Sequence, residues 1–220
     1  MPEAAPCFWV LAGTNGAGKS SVGGEFLRRA GGDYFNPDEV ARRIRDVRPG
    51  YSQAQANGAA WAEGVRQLGE AIRLRREHFF ETTLGGETVA RLLESALAAG
   101  IEVRIWYVGL TSPELHIARV AARVDKGGHD IPESDIRRRY DNSRRNLIQL
   151  LPRLTELRVH DNSAEADPDR QKNPAPRMVL HVQRGKVLGP ADLTHTPEWA
   201  KPIVSAALKP AGTPKPHPPR

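Results

Sequence analysis

Two rhythms of apolar residues divide this 220-residue chain. The first is the short continuous run that marks a strand buried on both faces. It occurs at 7–12, at His78-Phe79-Phe80, at 101–110 and at 157–160, with Tyr34-Phe35 as a shorter pair of the same kind. The second is the three-to-four spacing of an amphipathic helix. It predicts helices over 19–29, from Asn36 through Ile44, over 52–76 and 87–99, and onward from Ser112 and from Glu133. The punctuation agrees. Gly31-Gly32 and Gly100 end helices, while Asn36-Pro37 and Ser112-Pro113 each offer a cap followed by proline in the first turn. Glycines 58, 64 and 69 weigh against the long helix 52–76, at about 1 kcal/mol each relative to alanine.

Strands that alternate with helices predict an α/β fold, a parallel sheet flanked by helices. Beyond residue 163 the rhythm changes. Residues 164–177 read as a polar loop, and 178–182 with 186–188, joined by Gln183-Arg184-Gly185, predict a β-hairpin. Residues 196–208 predict a short helix. The expected organisation is a main domain over 1–163, an extension over 164–208 packed on it, and a disordered proline-rich tail over 209–220.

The stretch that gives this pattern a chemistry lies between the first strand and the first helix. Gly13-Thr14-Asn15-Gly16-Ala17-Gly18-Lys19-Ser20 fits G-x-x-x-x-G-K-[ST], the phosphate-binding P-loop. Glycines let the backbone curl until successive N–H groups point at phosphate oxygens, and the helix N-terminus adds positive potential. Gly13, Asn15, Gly16, Ala17, Gly18, Lys19, Ser20 and Ser21 are the candidate nucleotide-binding residues. Lys19 is expected on the β- and γ-phosphates and Ser20 on Mg²⁺, so ATP and Mg²⁺ are the expected ligands.

Two further groups fall at strand C-termini, where ligands bind in open α/β sheets. Asn36-Pro37-Asp38-Glu39 places two acids in a helix's first turn, where they either serve the chemistry or complement the helix dipole. Glu81-Thr82-Thr83-Leu84-Gly85-Gly86 offers a carboxylate and two hydroxyls, for a site or for capping the next helix. Arg119 and Arg123, four residues apart, share a helix face. The polar, glycine-rich break 125–132 follows, and then a helix carrying Arg137, Arg138, Arg139, Arg144 and Arg145. That order suits a lid over a triphosphate, because guanidinium groups fork onto phosphate oxygens and a mobile loop excludes water on closing. Arg138 and Arg145 are expected on the surface.

Composition narrows the partners. Hydrophobic content of 39% and charged content of 26% are those of a soluble globular protein. The net charge of +6 is spread along the chain without a recognisable nucleic-acid module, so it fits an enzyme handling polyanionic nucleotides better than a nucleic-acid binder. Cys7 is the single cysteine and precludes a disulfide framework. No apolar run is long enough to cross a bilayer, and the N-terminus lacks a basic-then-apolar leader pattern. A cytoplasmic location without membrane attachment is expected.

Taken together, the P-loop, Asn36-Pro37-Asp38-Glu39, Glu81-Thr82-Thr83-Leu84-Gly85-Gly86, and Arg119 followed by Gly127-Gly128-His129-Asp130-Ile131-Pro132 and Arg137-Arg138-Arg139-Tyr140 resemble the zeta-toxin-like P-loop kinases. The resemblance is closest to a bacterial branch often labelled as predicted ATPases, and it covers about residues 7–163. It implies a parallel sheet flanked by helices and an ATP-dependent kinase. The family's studied toxins phosphorylate a hydroxyl of UDP-N-acetylglucosamine, which makes a nucleotide sugar the leading acceptor and an antitoxin protein an expected partner.

The same resemblance assigns roles. Lys19 and Ser20 hold phosphates and metal, and Asp38 is the base. Glu81 and Thr83 contact substrate, with Glu81 also toward the metal. Either Arg119 or Arg123 is one lid arginine. His129 stands where the second is expected, so either it substitutes or Arg137 reaches in. Asn162, after the last parallel strand, is assigned to the adenine side. The alternatives are a nucleotide-driven switch ATPase, for which no Leu-Ser-Gly-Gly-Gln-like signature is present, and a nucleic-acid kinase.

Overall fold

The computed structural model describes residues 5–19, 23, 34–164 and 174–209. The helix expected over 19–29, with Ser20 and Ser21, lies outside the described residues apart from positions 19 and 23, as does nearly all of the tail. Among the described residues the order is β1 (Cys7–Ala12), α1 (Pro37–Val47), α2 (Gln53–Leu74), β2 (His78–Thr82), α3 (Glu87–Ala98), β3 (Glu102–Gly109), α4 (Pro113–Val124), α5 (Glu133–Leu150), β4 (Glu156–Asp161), β5 (Arg177–Gln183), β6 (Lys186–Gly189) and α6 (Lys201–Leu208). Short 3₁₀ turns at Leu151–Arg153 and Glu198–Ala200 lead into β4 and α6.

The strands form one sheet in the order β2-β1-β3-β4-β5-β6. β1 to β4 run parallel, whereas β5 and β6 add to β4 as an antiparallel hairpin. The fold is therefore α/β, a mostly parallel sheet flanked by helices. β1 lies between β2 and β3, so the connections on its two sides leave in opposite directions. The crevice at such a switch point is where an open α/β sheet receives a ligand, and the P-loop begins at that end of β1.

The main core fills one face of the sheet. Phe8 and Val10 of β1, Val103 and Ile105 of β3, Leu157 and Val159 of β4, and Leu180 and Val182 of β5 meet Leu93 of α3, Leu147 and Leu150 of α5 and Ile203 of α6 there, all buried. Each such side chain contributes about 1.5–3 kcal/mol by leaving water. The C-terminal extension is thus built into the same sheet and core. Trp199 packs so closely on β3 that a Cβ at Gly109 would lie 2.3 Å from its ring, and its indole donates to Asp161 at 3.3 Å.

Capping follows the sequence. The Asn36 side chain accepts from the amides of Asp38 and Glu39, Ser52 closes a capping box with Gln55, and Ser112 caps α4. Tyr34-Phe35 falls short of the strand expected there: Phe35 makes one parallel bridge to Phe80. In the long α2, Gly64 has a packing reason, since a Cβ there would stand 2.6 Å from the Phe35 ring.

Candidate active site

The P-loop is shaped by its glycines and pinned from outside. Gly16 and Gly18 adopt positive φ, at 80° and 83°, which only glycine tolerates cheaply. A Cβ on Gly16 would lie 2.7 Å from the His116 carbonyl, and one on Gly18 would lie 2.5 Å from Asn162 Nδ2. Asn162 itself donates to the Ala17 carbonyl at 2.9 Å. The residue assigned above to the adenine side is therefore placed as a strut beneath the P-loop. That use of its amide follows from its position at the end of β4, whose neighbour β3 sets Asn162 N on the Gly109 carbonyl at 3.0 Å.

His116 is a second strut. It is buried on α4, and its Nδ1 hydrogen-bonds the Asn15 carbonyl at 2.7 Å. Burial pushes its pKa down to about 4, so the ring is neutral and the bond is one in which Nδ1–H donates.

Lys19 and Glu81 meet at the centre. Both are buried, with Lys19 Nζ 3.5 Å from Glu81 Oε1 and 3.4 Å from the Thr14 carbonyl. Asn36 Nδ2 donates to the other oxygen, Glu81 Oε2, at 3.2 Å. Taking a charged pair out of water is costly, and the attraction only partly offsets it. An ammonium and a carboxylate kept there, beside a curled glycine loop, provide the donor set that phosphate and a hard cation need.

Asp38 stands across the cleft, half exposed, in the first turn of α1. The lid reaches it. Arg123 Nη1 is 3.7 Å from Asp38 Oδ2, and His129 Nε2 is 3.7 Å from Asp38 Oδ1. Arg123 Nη2 also donates to the His129 carbonyl at 3.4 Å, which ties the end of α4 to its following loop. Gly128 makes this fold-back feasible, because a Cβ there would meet Arg123 Cγ at 2.7 Å. Arg119, the other arginine of that face, points away to the Ala164 carbonyl at 3.3 Å.

Arg137 is not brought to the cleft. It pairs with Glu114 at 2.6 Å and with Glu133 at 3.9 Å on the outer surface, where its attraction for those carboxylates is satisfied. Two residues on, Arg139 takes the inward position instead. Its Nη1 donates to Asn15 Oδ1 of the P-loop at 2.8 Å, and its Nη2 pairs with Asp135 at 3.2 Å. The sequence held a signal for it. Ile136, Arg139, Tyr140, Ser143, Asn146 and Leu147 recur at three-to-four spacing, and all but Arg139 are buried, so Arg139 shares the inward stripe of α5. Arg138, expected on the surface, lines the cleft rim and is held by Asp135 at 2.8 Å.

The same stripe of α5 fixes the loop after β2. Ser143 Oγ donates to the Thr83 carbonyl at 2.7 Å, Tyr107 donates to Ser143, and Asn146 Nδ2 donates to the Leu84 carbonyl at 2.8 Å. The Thr82 and Thr83 hydroxyls accept from the amides of Leu84 and Gly85. They shape the loop and do not cap α3, whose first position is preceded by Gly86 without a side-chain cap.

Lys19, Asp38, Glu81, Thr83, His129 and Arg139 thus share one cleft of about 380 Å³, which α2 also lines. Cys7 is outside this chemistry: burial raises its thiol to about 12, far from a thiolate at neutral pH. Among the described residues, no helix is long and apolar enough to cross a membrane.

Comparison with known proteins agrees with this architecture. An uncharacterized protein of Haemophilus influenzae is 30% identical over 139 residues, which is 60% of this chain and 96% of the relative. The fold is similar to a chain of the AvrRxo1-ORF1:-ORF2 complex solved with ATP (TM-score 0.65, 16% identity, 92% of this chain). The present chain spans 63% of that protein's length. It is also similar to a chain of the PezAT chromosomal toxin–antitoxin system of Streptococcus pneumoniae (TM-score 0.53, 15% identity, 80% of this chain and 77% of that one). The zeta toxin family model matches residues 1–172, and the chain belongs to the zeta toxin family.

Proposed function

We propose that this protein is an ATP-dependent kinase that transfers the γ-phosphoryl group to a hydroxyl of a small molecule, with a nucleotide sugar such as UDP-N-acetylglucosamine as the leading acceptor. The observation that carries this reading is the convergence on one cleft of a buried P-loop lysine, a buried carboxylate and a carboxylate faced by lid cations.

The P-loop amides hold the phosphates, and Lys19 exchanges Glu81 for β- and γ-phosphate oxygens. Glu81 and Ser20 would hold Mg²⁺, which supplies charge neutralisation across the β- and γ-phosphates. One or two protein oxygens completed by phosphates and water suffice for that ion, so the donor set fits. Asp38 accepts the acceptor's hydroxyl proton as the new O–P bond forms and the bond from the γ-phosphorus to the β–γ bridging oxygen breaks, leaving ADP. Arg123 and Arg139 offset the charge spread over the transferring group, and His129 takes a supporting place beside Asp38. Arg119 and Arg137 are assigned no part in this step.

Other features complete the proposal. Family membership and similarity to a chain of a toxin–antitoxin system support an antitoxin protein as partner. Use of ATP and a nucleotide sugar would fit a reaction in the cytoplasm.

The experiment is to incubate the protein with ATP, Mg²⁺ and a metabolite panel that includes UDP-N-acetylglucosamine. Mass spectrometry should find a product heavier by about 80 Da, one phosphoryl group. ADP formation with no phosphorylated organic product in any mixture would contradict the proposal.

A further inference from the structure

One wall of the cleft comes from α2, whose Asn57, Trp61, Val65 and Leu68 line it at spacings of four, four and three. On the adjoining flank of α2, Ala56, Ala60 and Ala71 are buried, and Leu68 is buried with them. Trp61 is out of place by ordinary burial rules. It is 54% exposed, whereas every other phenylalanine, tyrosine and tryptophan among the described residues is buried or partly buried. The remaining described tryptophans all have partners. Trp9 stacks on Phe79, Trp106 lies beside His160 and under Arg158, and Trp199 packs on Tyr107. Trp61 makes no ring contact with another described residue. A large apolar side chain left open to water on the wall of a functional cleft marks a surface that a ligand covers.

We propose that Trp61 is the platform of the acceptor site, and that the acceptor carries a ring, a nucleobase or a sugar, laid against the indole while its hydroxyl is presented to Asp38. The proposal rests on the phosphotransfer reading for its reacting end, but the ring contact itself needs no chemistry. Three features of the cleft support it. Val65 and Val89 also line the cleft and add apolar surface, which suits a flat face better than an open-chain polyol. Asn57 and Thr88 line the same cleft and offer hydrogen-bonding groups to ring substituents. Trp61 and Asp38 sit on successive helices, α2 and α1, that pack through Ala41, Ala56 and Ala60. Platform and base are therefore held in a fixed relation. Rigid aromatic surface of this kind selects by shape at little entropic cost.

Tryptophan emission, excited at the indole's red edge, tests the contact without ATP. The full-length protein is titrated with uridine, with N-acetylglucosamine and with glycerol, which lacks a ring. Uridine or N-acetylglucosamine, whichever ring the site takes, should change the emission saturably, and glycerol should not. The change should vanish in Trp61→Leu and persist in Lys19→Ala. No response to either ring compound, or an undiminished response in Trp61→Leu, overturns the proposal.

A kinetic arm uses ADP formation with UDP-N-acetylglucosamine as acceptor. Trp61→Leu should raise its KM about tenfold with kcat within a factor of two, and Trp61→Tyr should restore most of the loss. A fall in kcat with unchanged KM would refute the platform. If the emission change holds and no variant, wild type included, forms ADP with any member of the metabolite panel, the phosphotransfer reading fails and the ring contact stands.

Discussion

At the scale of single residues, the proposed reaction separates charges assigned to the chemistry from charges that merely find partners. Asp38 carries the sharpest expectation. Replacing it with Asn keeps its size and the helix start, so turnover should fall about 10²-fold or more while ATP affinity, read by calorimetry, stays nearly the same. Arg139 and Arg137 form a matched pair, two residues apart on one helix. Arg139→Ala removes the guanidinium that reaches the P-loop and should cost about 10²-fold in kcat/KM. Arg137→Ala breaks a surface pair with Glu114 and should leave kcat/KM within a factor of two. Steady-state kinetics of both variants, measured side by side, checks the assignment, and equal effects would contradict it.

Much of this was legible in the residues alone. Lys19 belongs to a spaced motif, Asp38 follows a cap-and-proline helix start, and Glu81 lies at the end of a strand. What periodicity left open was the choice among adjacent arginines, because neighbours on a helix differ by only about 100°. The tie between Arg119 and Arg123 depends on where the 125–132 loop turns back, which Gly128 decides through a close approach invisible in sequence. Asn162 and His116 were harder still. A strut under a backbone carbonyl needs only one donor at the right place, and no pattern announces it.

At the scale of elements, α5 is the piece that organises the site. One stripe of it holds the P-loop through Arg139, the loop after β2 through Ser143 and Asn146, and the core through Leu147 and Leu150. Gly85 lets that loop lie against the helix, since a Cβ there would meet Arg139 Cγ at 2.8 Å and its Cα at 3.1 Å. Gly85→Ala must push loop and helix apart. It should cost about 1–3 kcal/mol in denaturant unfolding and lower kcat as well, because Arg139 moves with the helix. Asn146→Leu should destabilise by about 1–3 kcal/mol, leaving the Leu84 carbonyl without its donor. The sequence predicted α5 as a basic helix and so drew attention to its outer face. Its inner face, with a serine and an asparagine at core positions, was readable only once the neighbouring loop was in view.

At the scale of the whole molecule, the parallel sheet and its order of helices followed from the alternation of rhythms, and the hairpin from its turn residues. That β5 and β6 continue the sheet beside β4 could not be read from local pattern, because strand pairing is a long-range choice. Stability should carry one clear pH signature. Burial lowers the folded pKa of His116 to about 4, below its ordinary value of 6.5, so the unfolded chain binds the extra proton between those values. The contribution is complete above pH 6.5 and is lost as pH falls toward 4. His78 and His160 are lowered by burial too and share the trend. Thermal unfolding from pH 7.5 to 4.5 should therefore show Tm falling with pH in the wild type. His116→Gln, which keeps a donor for the Asn15 carbonyl, should fall less steeply. Parallel curves for the two proteins would mean that His116 is protonated in the folded state.

The central claim is that Asp38 and the P-loop together move a phosphoryl group to an organic hydroxyl. The direct measurement follows the label from [γ-³²P]ATP when wild type, Asp38→Asn and Lys19→Ala are incubated with UDP-N-acetylglucosamine and a small-metabolite extract. The account predicts label in an organic product with the wild type, reduced at least about 10²-fold in Asp38→Asn and absent in Lys19→Ala. Label released only as inorganic phosphate, at the same rate in wild type and Asp38→Asn, would contradict it.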